Sequence, residues 1–347
     1  MGQFKVIDAG FMTTVQDLGR YGYQQYGVSV SGAMDHIAAK LANILVGNDE
    51  NEGLLEVTMI GPKIEFLDAA VIAVTGGDMQ PEINGISINL NKSIAVNKGD
   101  ILAFKGLKKG LRSLIAFAGG IDVSIVMGSK STFLKAQIGG YEGRALKAGD
   151  IIKTGTGYNV VSGREIEENF YDYGSGIVEL RVVMGPQDDA FTDEGIETFL
   201  NSEFHVTNNC DRMGYTLEGV NIQHKDGADI ISDGISIGAI QVPSNGHLII
   251  MMADRQTTGG YTKIANVITA DLPKLAQAKP GDVIVFKKST IEEAHMLLKD
   301  LENRINEVKK QLSLQDKEKK EYTKAINIKN YNIRVNGKPF IVKVEEM

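Results

Sequence analysis

Short runs of apolar residues recur along the chain at close spacing, and each run is bounded by Gly, Asp or Asn. The runs are FKVID, LLEVTMI, AVIAVTG, SLIAFAG, VELRVVMG, HLIIMM and DVIVF. Their richness in Val, Ile and Phe favours β-strands. Helical patterns are fewer and do not alternate with the strands, which argues against a Rossmann-type sheet. We therefore predict a mainly β fold with a few α-helices, of the α+β class.

Two segments before residue 290 carry a helical pattern. The first, SGAMDHIAAKLANILVGN, places four apolar residues on one helical face. They are Ile37, Leu41, Ile44 and Leu45. Ser31 or Asp35 can cap the start of this helix, and Gly47 can end it. The second helical segment is DDAFTDEGIETFLNS, at residues 188–202.

One short element occurs three times, as NKGDIL at 97–102, KAGDII at 147–152 and KPGDVI at 279–284. In each copy, Gly suits a left-handed turn position, Asp can bond the local backbone, and an apolar pair follows. The element predicts a tight turn that leads into a strand of a β-barrel. Its irregular spacing is not that of a solenoid repeat.

Changes in composition divide the chain into four predicted parts. Residues 1–165 form an N-terminal β-rich domain and residues 175–290 a C-terminal β-barrel domain, and the polar, Gly-rich stretch around 155–176 separates them. Residues 291–329 form a heptad-patterned helix followed by a charged linker, QDKEKKEYTK. Residues 330–347 form a separate tail.

The helix predicted after residue 290 has apolar residues in steps of three and four over three heptads. They are Ile291, Ala294, Leu298, Leu301, Ile305, Val308 and Leu312. This seam fits either a helix packed on its own barrel or a coiled-coil contact with a partner, and both alternatives stay open. The tail, YNIRVNGKPFIVKVEEM, alternates apolar and polar residues around Asn336 and Gly337, which predicts a β-hairpin.

Composition restricts the functional classes. The 347-residue chain has a net charge of −7 and a pI of about 5.4, so it lacks the basic surface of a general nucleic-acid binder. A single cysteine, Cys210, excludes an intramolecular disulfide and suits a reducing compartment. The N-terminus, MGQFKVIDAG, has no signal-peptide pattern, and no apolar run is long enough to span a membrane. We expect a cytoplasmic protein that binds neither nucleic acid nor membrane.

Four generic catalytic templates find no match. The patterns G-x-x-x-x-G-K-[ST], G-x-G-x-x-G, H-E-x-x-H and C-x-x-C are absent, and MGSKST, at 127–132, only resembles a phosphate-binding loop. The five His lie far apart and predict no metal site. Cys210 could be a nucleophile, although a lone Cys is more often a small core residue. The Lys between two Met that carries biotin is also absent.

What remains is a set of polar, Gly-rich clusters, and the most conspicuous is RQTTGGYTK, at 255–263. Arg255 and Lys263 could hold a carboxylate or a phosphate, and Gly259–Gly260 lets a ligand approach the backbone closely. The segment GRYGYQQYGVSVSGAMDH, at 19–36, runs into a helix start, where free backbone N–H groups favour an anion. The plain alternative for RQTTGGYTK is a strand–loop–strand with its charges in solvent.

Nine blocks, read together, carry a family resemblance. They are TTVQDLGRYGYQQYGVSVSGAMDHIAAKLANILVGN, LLEVTMIGPKIEF, GDIL, AFAGGIDV with MGSKST, GGYEGRALKAGD, VMGPQDDAF, DRMGYTLEG, GAIQVPSNG and ADRQTTGGYTKIANVITADLPKLAQAKPGDVIVF. Over residues 6–288 the chain resembles the biotin-dependent carboxyltransferase A/B family. That family includes the KipI antagonist KipA, the C subunit of 5-oxoprolinase, allophanate hydrolase subunit 2 and part of the carboxyltransferase region of urea carboxylase.

The resemblance implies two β-barrel-like domains of cyclophilin-like character and partners for the chain. The partners would be a KipI-like protein (the B subunit of 5-oxoprolinase) and a further protein like its A subunit, with a small amide or lactam as substrate. In 5-oxoprolinase, the assembled subunits use ATP to open the lactam of 5-oxoproline to glutamate. In urea carboxylase, the related region moves CO2 from carboxybiotin to urea. ATP would be used by the assembled complex, and any biotin would sit on a separate carrier rather than on this chain.

Matching the family blocks position by position implies a set of functional residues. The catalytic candidates are Arg255, Lys263 and Arg212. The substrate-binding candidates are Asp35, Gln241, Thr257, Thr258, Gly259, Gly260 and Tyr261, and no metal ligand is implied. We hypothesise that Arg255 and Lys263 bind anionic oxygens. Thr258 and the backbone of Gly259 and Gly260 would orient an amide or the ureido ring of biotin.

Three functions fit these features. The first is a subunit of an ATP-dependent 5-oxoproline hydrolase, and the second is a biotin-dependent carboxyltransferase subunit that acts on a urea-like or other amide. The third is a non-catalytic antagonist of a KipI-like kinase inhibitor. No residue of the sequence separates them. The tail is similar to the opening strands of biotin-carrier domains, which favours biotin chemistry somewhere in the system.

Overall fold

The structure is a computed structural model that describes residues 2–156, 162–167, 170–171, 173, 176–325, 327–335 and 338–346, with side chains as far as residue 316. Within these residues the chain forms 22 β-strands and four α-helices, so the predicted mainly β, α+β fold is confirmed. The strands up to residue 154 build an N-terminal body, and those of residues 177–288 build a C-terminal body.

The N-terminal body consists of two antiparallel sheets and one helix, α1 (His36–Leu45). Its strands are β1 (Gly2–Asp8), β2 (Met12–Gln16), β3 (Leu54–Thr58), β4 (Lys63–Phe66), β5 (Ala70–Asp78), β6 (Pro81–Ile83), β7 (Ile86–Ser87), β8 (Ser93–Val96), β9 (Ile101–Phe104), β10 (Lys109–Phe117) and β11 (Ile151–Thr154). The sheet orders are β11-β1-β4-β9-β6-β7 and β2-β3-β10-β5-β8. Both sheets contribute to one core, which includes Phe4, Phe66 and Phe117, so the two sheets pack against each other.

The C-terminal body is a closed barrel, as predicted. Its elements are β12 (Ile177–Met184), α2 (Asp193–Asn201), β13 (Phe204–Cys210), β14 (Gly214–Gly219), β15 (Asp229–Gly234), β16 (Ala239–Gln241), β17 (Leu248–Met251), β18 (Thr258–Tyr261), β19 (Lys263–Val267), α3 (Leu272–Ala276) and β20 (Val283–Lys288). The barrel order is β12-β19-β16-β17-β14-β13-β20, and the parallel pairing of β12 with β20 closes it. Strands β15 and β18 form a separate two-stranded sheet, which we call the ribbon.

All three Gly-Asp elements lead into strands, namely β9, β11 and β20. Their glycines have φ of 90°, 95° and 89°, in the left-handed region that favours Gly. Each Asp side chain accepts a hydrogen bond from the backbone N–H three residues upstream. For Asp100, Asp150 and Asp282 the distances are 2.7, 2.8 and 3.0 Å. The carboxylate therefore closes each turn, as the sequence pattern predicted.

Helix α1 has the predicted cap and the predicted buried face. The Oδ1 atom of Asp35 accepts a hydrogen bond from the N–H of Ala38 at 2.9 Å. Ser31, the other candidate cap, instead lies before the helix with φ 58°, and Gly47 follows the helix with φ 73°. The apolar face, formed by Ile37, Leu41, Ile44 and Leu45, is buried.

Two helices differ in length from their predictions. Helix α2 begins later than predicted, at Asp193, because the Thr192 side chain caps it by accepting from the N–H of Gly195 at 3.0 Å. Helix α4 (Ile291–Ala325) extends further than predicted. It includes the charged segment that the sequence indicated as a linker, because Glu, Lys and Gln are good helix formers.

The seam of α4 packs on the chain's own body, which favours the first of the two sequence alternatives. Its C-terminal part, formed by Leu301, Ile305, Val308 and Leu312, is buried in one cluster with α1 and with Ile268. Its first residue, Ile291, is 56% exposed. Helix α4 also contacts the 3-10 turn Thr269–Asp271 that precedes α3. The helix therefore lies across the junction of the two bodies.

The predicted C-terminal hairpin is present as β21 (Asn327–Val335) and β22 (Lys338–Glu346), which pair antiparallel along their length. The predicted turn residues Asn336 and Gly337 lie outside the described residues, as does part of the predicted boundary at 155–176. The limits of the four predicted domains therefore stay predictions.

A buried polar network joins the two bodies next to α3. Gln277 accepts hydrogen bonds from the N–H groups of Leu111 and Arg112 at 2.9 and 2.8 Å and donates to Asp35 at 2.7 Å. Arg112 also donates to the Tyr215 hydroxyl, on the barrel, at 2.6 Å. Because buried donors and acceptors are costly to leave unpaired, this network fixes the relative position of the bodies.

Replacing Ile305 by Ala should lower the free energy of unfolding by about 2–4 kcal/mol, because a fully buried side chain leaves the α1–α4 cluster. The matched change Leu314→Ala, at an exposed position of the same helix, should alter it by less than about 0.5 kcal/mol. Urea unfolding followed by circular dichroism measures both variants. Equal losses would contradict this packing of α4.

His36, the first residue of α1, should make stability depend on pH. Burial, with a smaller contribution from Lys40, lowers the pKa of His36 from 6.5 to about 4. Between these values the unfolded chain binds the proton and the folded chain does not. Stability should therefore decrease by about 3 kcal/mol as the pH falls from 6.5 to about 4. Unfolding measured across this range should show a shallower slope for His36→Gln than for the unsubstituted protein, and equal slopes would contradict the prediction.

Candidate functional site

A cleft of about 580 Å³ lies where the N-terminal chain meets one face of the barrel. The 3-10 turn Gln24–Tyr26 contributes one wall, and residues 233–236 of the ribbon region contribute another. Three of the sequence-predicted residues, Thr257, Thr258 and Lys263, line this cleft. The structure thus brings part of the predicted set together in one concave site.

Lys263 places a buried cation in the wall of the cleft. It begins β19, which is hydrogen-bonded to β12 on one side and to β16 on the other. Its side chain is 4% exposed, and its Nζ lies 3.0 Å from Oδ2 of Asp233, whose side chain is 55% exposed. The hydrogen bond from Lys263, together with one from the N–H of Gly234, lowers the pKa of Asp233. A buried ammonium needs such an anion, because desolvation without a partner is costly.

Arg255 lies behind the cleft wall and is also buried. Its Nε donates to the carbonyl of Ile235 at 3.0 Å, and its Nη1 donates to the carbonyl of Met252 at 3.3 Å. No carboxylate of the described residues forms a salt bridge with this guanidinium. Burial lowers the pKa of Arg255, and the neighbouring Tyr21 opposes that effect. The region behind the cleft therefore carries positive charge that no carboxylate of the described chain pairs.

Gln241 supplies an unpartnered amide donor beside Lys263. The two residues are opposite each other on β16 and β19, so their side chains share one face of the sheet. Gln241 is 2% exposed, and its Nε2 finds no hydrogen-bond partner among the described residues. A Cβ at Gly259 would lie 2.8 Å from that Nε2 and 2.6 Å from Ile235 Cδ1, so a larger residue would force these two side-chain ends to move. A ligand carbonyl or carboxylate is the acceptor that such a donor lacks.

Within RQTTGGYTK, Thr258–Tyr261 form strand β18 of the ribbon. Tyr261 and Gly260 lie on this strand, and neither lines the cleft. Tyr261 is 39% exposed. The alternative that placed the charges of this segment in solvent is wrong, because Arg255 and Lys263 are both buried.

Arg212 lies in the interior, away from the cleft walls. Its Nε and Nη2 donate to Asp254 at 2.9 and 3.1 Å, its Nη2 also donates to the carbonyl of Gly32 at 2.7 Å, and its Nη1 donates to Glu56. Burial alone would lower the pKa of Arg212, but Asp254 and Glu56 raise it. Glu56 and Gly32 belong to the N-terminal body and Asp254 to the C-terminal body. This position fits a structural role rather than the catalytic role that the sequence predicted.

Asp35 is fully buried at the start of α1 and does not line the cleft. Its carboxylate accepts hydrogen bonds from the N–H of Ala38 at 2.9 Å, the hydroxyl of Tyr173 at 2.8 Å and Nε2 of Gln277 at 2.7 Å. Burial raises its pKa, and these hydrogen bonds oppose the shift. The predicted substrate-binding role therefore finds no support in this position, since Asp35 acts as a helix cap.

Several cleft residues were not singled out in the sequence. Gln24 and Gln25 line the cleft and lie within the block GRYGYQQYG, so the resemblance contained a signal for them. Asp233 had no such signal, because it reaches Lys263 only through the pairing of β15 with β18. Gln187 touches both members of that ion pair: its Oε1 accepts from the N–H of Lys263 at 3.3 Å, and its Nε2 lies 3.4 Å from Asp233 Oδ2.

The segment MGSKST binds an anion, but the anion is a carboxylate of the same chain. Asp17 accepts hydrogen bonds from Ser129 Oγ at 2.8 Å, the N–H of Lys130 at 2.6 Å and the N–H of Gly19 at 2.8 Å. Ser131 Oγ donates to it as well. The donors of this loop are therefore engaged by Asp17, which agrees with the absence of the phosphate-loop template.

Cys210 ends β13 and does not line the cleft. Burial raises its pKa, which favours the protonated thiol over the nucleophilic thiolate. Within the described ranges, no group of three or more His, Cys, Asp or Glu side chains is arranged to hold a metal ion. No helix of that part of the chain is long and apolar enough to cross a membrane.

Two other concavities contain none of the predicted residues. A cavity of about 290 Å³ lies between α1 and β5 and is lined by Tyr171 and Tyr173. A groove of about 640 Å³ runs beside β13 and β14 and is lined by Asn208 and Asn209. Of these three sites, the cleft at Lys263 alone combines a buried cation, a neighbouring unpartnered amide and predicted residues.

Comparison with known proteins gives consistent matches. Residues 26–288 match the family described as carboxyltransferase domain, subdomain A and B. The chain is 39% identical to the C subunit of 5-oxoprolinase from Escherichia coli (strain K12) over 296 residues, which cover 84% of this chain and 92% of that protein. It is 36% identical to urea amidolyase of Lachancea kluyveri over 316 residues, which cover 85% of this chain and 17% of that protein. The crystal structure of the K. lactis urea amidolyase aligns with a TM-score of 0.82 and 32% identity, over 88% of this chain and 20% of that one.

Replacing Arg212 by Met should lower the free energy of unfolding by about 3–5 kcal/mol, because the buried carboxylates of Glu56 and Asp254 lose their counter-ion. The control Arg144→Met breaks the more exposed pairs with Glu142 and Asp150 and should cost about 1 kcal/mol or less. Chemical unfolding measures both. An Arg212→Met protein with unchanged stability would contradict the structural role.

Proposed function

The chain belongs to the family described as carboxyltransferase domain, subdomain A and B, and on that premise we propose that it is one subunit of an ATP-dependent 5-oxoproline hydrolase. It would act with a KipI-like partner, in the place of the enzyme's B subunit, and with a protein like its A subunit to open the lactam to glutamate. The assembled complex would use ATP, and the cytoplasm, where ATP is available, would be its compartment.

The observation that carries this proposal is the extent of the match. The chain covers 92% of the 5-oxoprolinase C subunit from Escherichia coli, whereas it covers 17% of urea amidolyase from Lachancea kluyveri at similar identity. The matched region therefore corresponds to nearly the whole of one relative and to a small part of the other, much longer one.

The charges of the cleft support the same reaction class. Opening a lactam places negative charge on the amide oxygen, and buried cations and fixed N–H donors stabilise such charge best in a water-poor site. Lys263 lies in the cleft wall and Arg255 behind it. In the proposal these two cations attract the anionic groups, Gln241 donates to a carbonyl oxygen, and Thr258 with the Gly259–Gly260 backbone orients the amide.

A biotin-dependent carboxyltransferase subunit is the second candidate. It is favoured by the alignment with K. lactis urea amidolyase, at a TM-score of 0.82, and by the β21–β22 hairpin, whose sequence resembles the opening strands of biotin-carrier domains. Biotin on a separate carrier would then bring CO2 to a urea-like or other amide. Gln241 and Thr258 would face the ureido ring in place of the lactam.

The test is reconstitution. The full chain is co-purified with its KipI-like partner and its further partner of the A type, and assayed for glutamate and ADP with ATP and 5-oxoproline, with and without bicarbonate and a biotinylated carrier. Turnover without biotin supports the hydrolase, whereas a requirement for biotin and bicarbonate supports the carboxyltransferase. Tight binding of the KipI-like protein without turnover in any assembly would instead indicate the non-catalytic antagonist.

In the active assembly, Lys263→Met should reduce kcat/KM by about 10²–10³-fold, because the site loses a preorganised cation. Lys287→Met removes an exposed Lys from β20 of the same barrel and should leave the rate unchanged. Rates are compared at equal amounts of assembled complex, checked by size-exclusion chromatography. Full activity of Lys263→Met would exclude a catalytic role for this residue.

A further inference from the structure

The two members of the ion pair in the cleft differ in solvent exposure, and therefore in how strongly each depends on its partner. The Lys263 side chain is 4% exposed and the Asp233 side chain is 55% exposed. A buried ammonium requires a nearby anion, because its hydration has been removed. An exposed carboxylate gains little from a salt bridge, since water solvates it nearly as well. Lys263 therefore needs an anion, but that anion need not be Asp233.

The two groups also lie on elements of different rigidity. Lys263 is on β19, which has hydrogen-bonded neighbours on both sides in the closed barrel. Asp233 is on β15, which pairs with β18 alone in the ribbon, and the pairing is irregular between Asp229 and Asp233. The ribbon is largely exposed, with Ile231 94% exposed. An isolated two-stranded sheet is marginally stable, so Asp233 can move at lower cost than Lys263.

Other contacts make the exchange of anions favourable. Asp233 Oδ1 accepts from the N–H of Gly234 at 2.7 Å, so the carboxylate keeps a partner on its own strand after leaving Lys263. On the barrel, beside Lys263, the buried Nε2 of Gln241 has no hydrogen-bond acceptor among the described residues. Lys263 and Gln241 thus present one cation and one amide donor on the same sheet face.

We propose that Asp233 is an internal stand-in for the carboxylate of an anionic amide or lactam, which displaces Asp233 from Lys263 when it binds. The exchange replaces one carboxylate by another, so the buried Lys263 never loses its counter-ion. The carbonyl of the same ligand accepts from Gln241. A neutral amide such as urea has no carboxylate that could replace Asp233. When such an amide binds, the ion pair between Lys263 and Asp233 stays intact. Asp233 is then a specificity-determining residue, and this inference rests on the proposed function in taking the cleft as the substrate site.

The test compares two lactams that differ in the carboxylate alone. Isothermal titration of the full chain in low-chloride buffer measures the Kd of 5-oxoproline and of 2-pyrrolidinone, its neutral counterpart. Asp233→Asn should lower the Kd of 5-oxoproline about two- to fivefold, the range expected when a solvent-exposed pair no longer competes. The Kd of 2-pyrrolidinone should not change. The control Asp229→Asn, at an exposed position of the same strand, should affect neither.

Lys263→Met should abolish the preference for 5-oxoproline, and Asp233→Asn should have no further effect in that background. Unchanged or weaker binding of 5-oxoproline by Asp233→Asn would overturn the proposal. So would equal effects on both lactams, or no measurable binding by either wild type or Asp233→Asn. Thermal unfolding of each variant confirms that the measured protein is folded.

The two proposals fail in different ways. Turnover of 5-oxoproline by the assembled complex, with a KM that Asp233→Asn leaves unchanged, would remove the stand-in role and keep the hydrolase. A Kd for 5-oxoproline that Asp233→Asn lowers selectively, in a chain whose assemblies never hydrolyse it, would keep the stand-in role and remove the hydrolase.

Discussion

The charge of Arg212 lies buried between the two bodies of the chain, and the position of the cleft depends on how that charge is balanced. Glu56 comes from the N-terminal body and Asp254 from the C-terminal body, so neither body alone neutralises it. Breaking a buried ion pair leaves an uncompensated charge, and its cost ties the two bodies together. Asp254 directly precedes Arg255, and its N–H donates to the carbonyl of Arg212 at 2.7 Å. The same cluster therefore fixes where the segment RQTTGGYTK begins.

From that point the N-terminal chain is held against the barrel. Ser29 Oγ donates to the carbonyl of Arg255 at 2.7 Å, and the N–H of Ser31 donates to the carbonyl of Ala253 at 3.0 Å. These hydrogen bonds hold the segment that contains the 3-10 turn Gln24–Tyr26 against the barrel, so that Gln24 and Gln25 line the cleft. The cleft is consequently a feature of the junction, since each body contributes to its walls.

Two carboxylates of the chain satisfy its own anion-binding groups, and their surroundings differ. Asp17 is 3% exposed and is held by four donors, so it is a permanent part of the fold. Asp233 is mostly exposed and pairs with one cation, Lys263, from the ribbon outside the closed barrel. MGSKST resembles a phosphate-binding loop, but its donors bind Asp17 and so hold the fold together. The stretch around Asp233 matches no binding motif, yet Asp233 lines the candidate cleft.

Chains of this family occur in proteins named for different reactions. A cleft that holds buried cations suits each of these reactions in which an amide oxyanion must be stabilised.

The sequence by itself determined the local features of this protein. The apolar runs became strands, the Gly-Asp turns closed through their own carboxylates, and Asp35 capped α1, because each depends on residues a few positions apart. The family blocks also led to Thr257, Thr258 and Lys263. Tertiary structure alone decided that Arg212 and Asp35 are buried and hydrogen-bonded inside the fold, and that Asp233 faces Lys263. These outcomes depend on pairs far apart in the chain, such as Arg212 with Glu56. Their burial and partners follow from how the two bodies close, which local pattern does not encode.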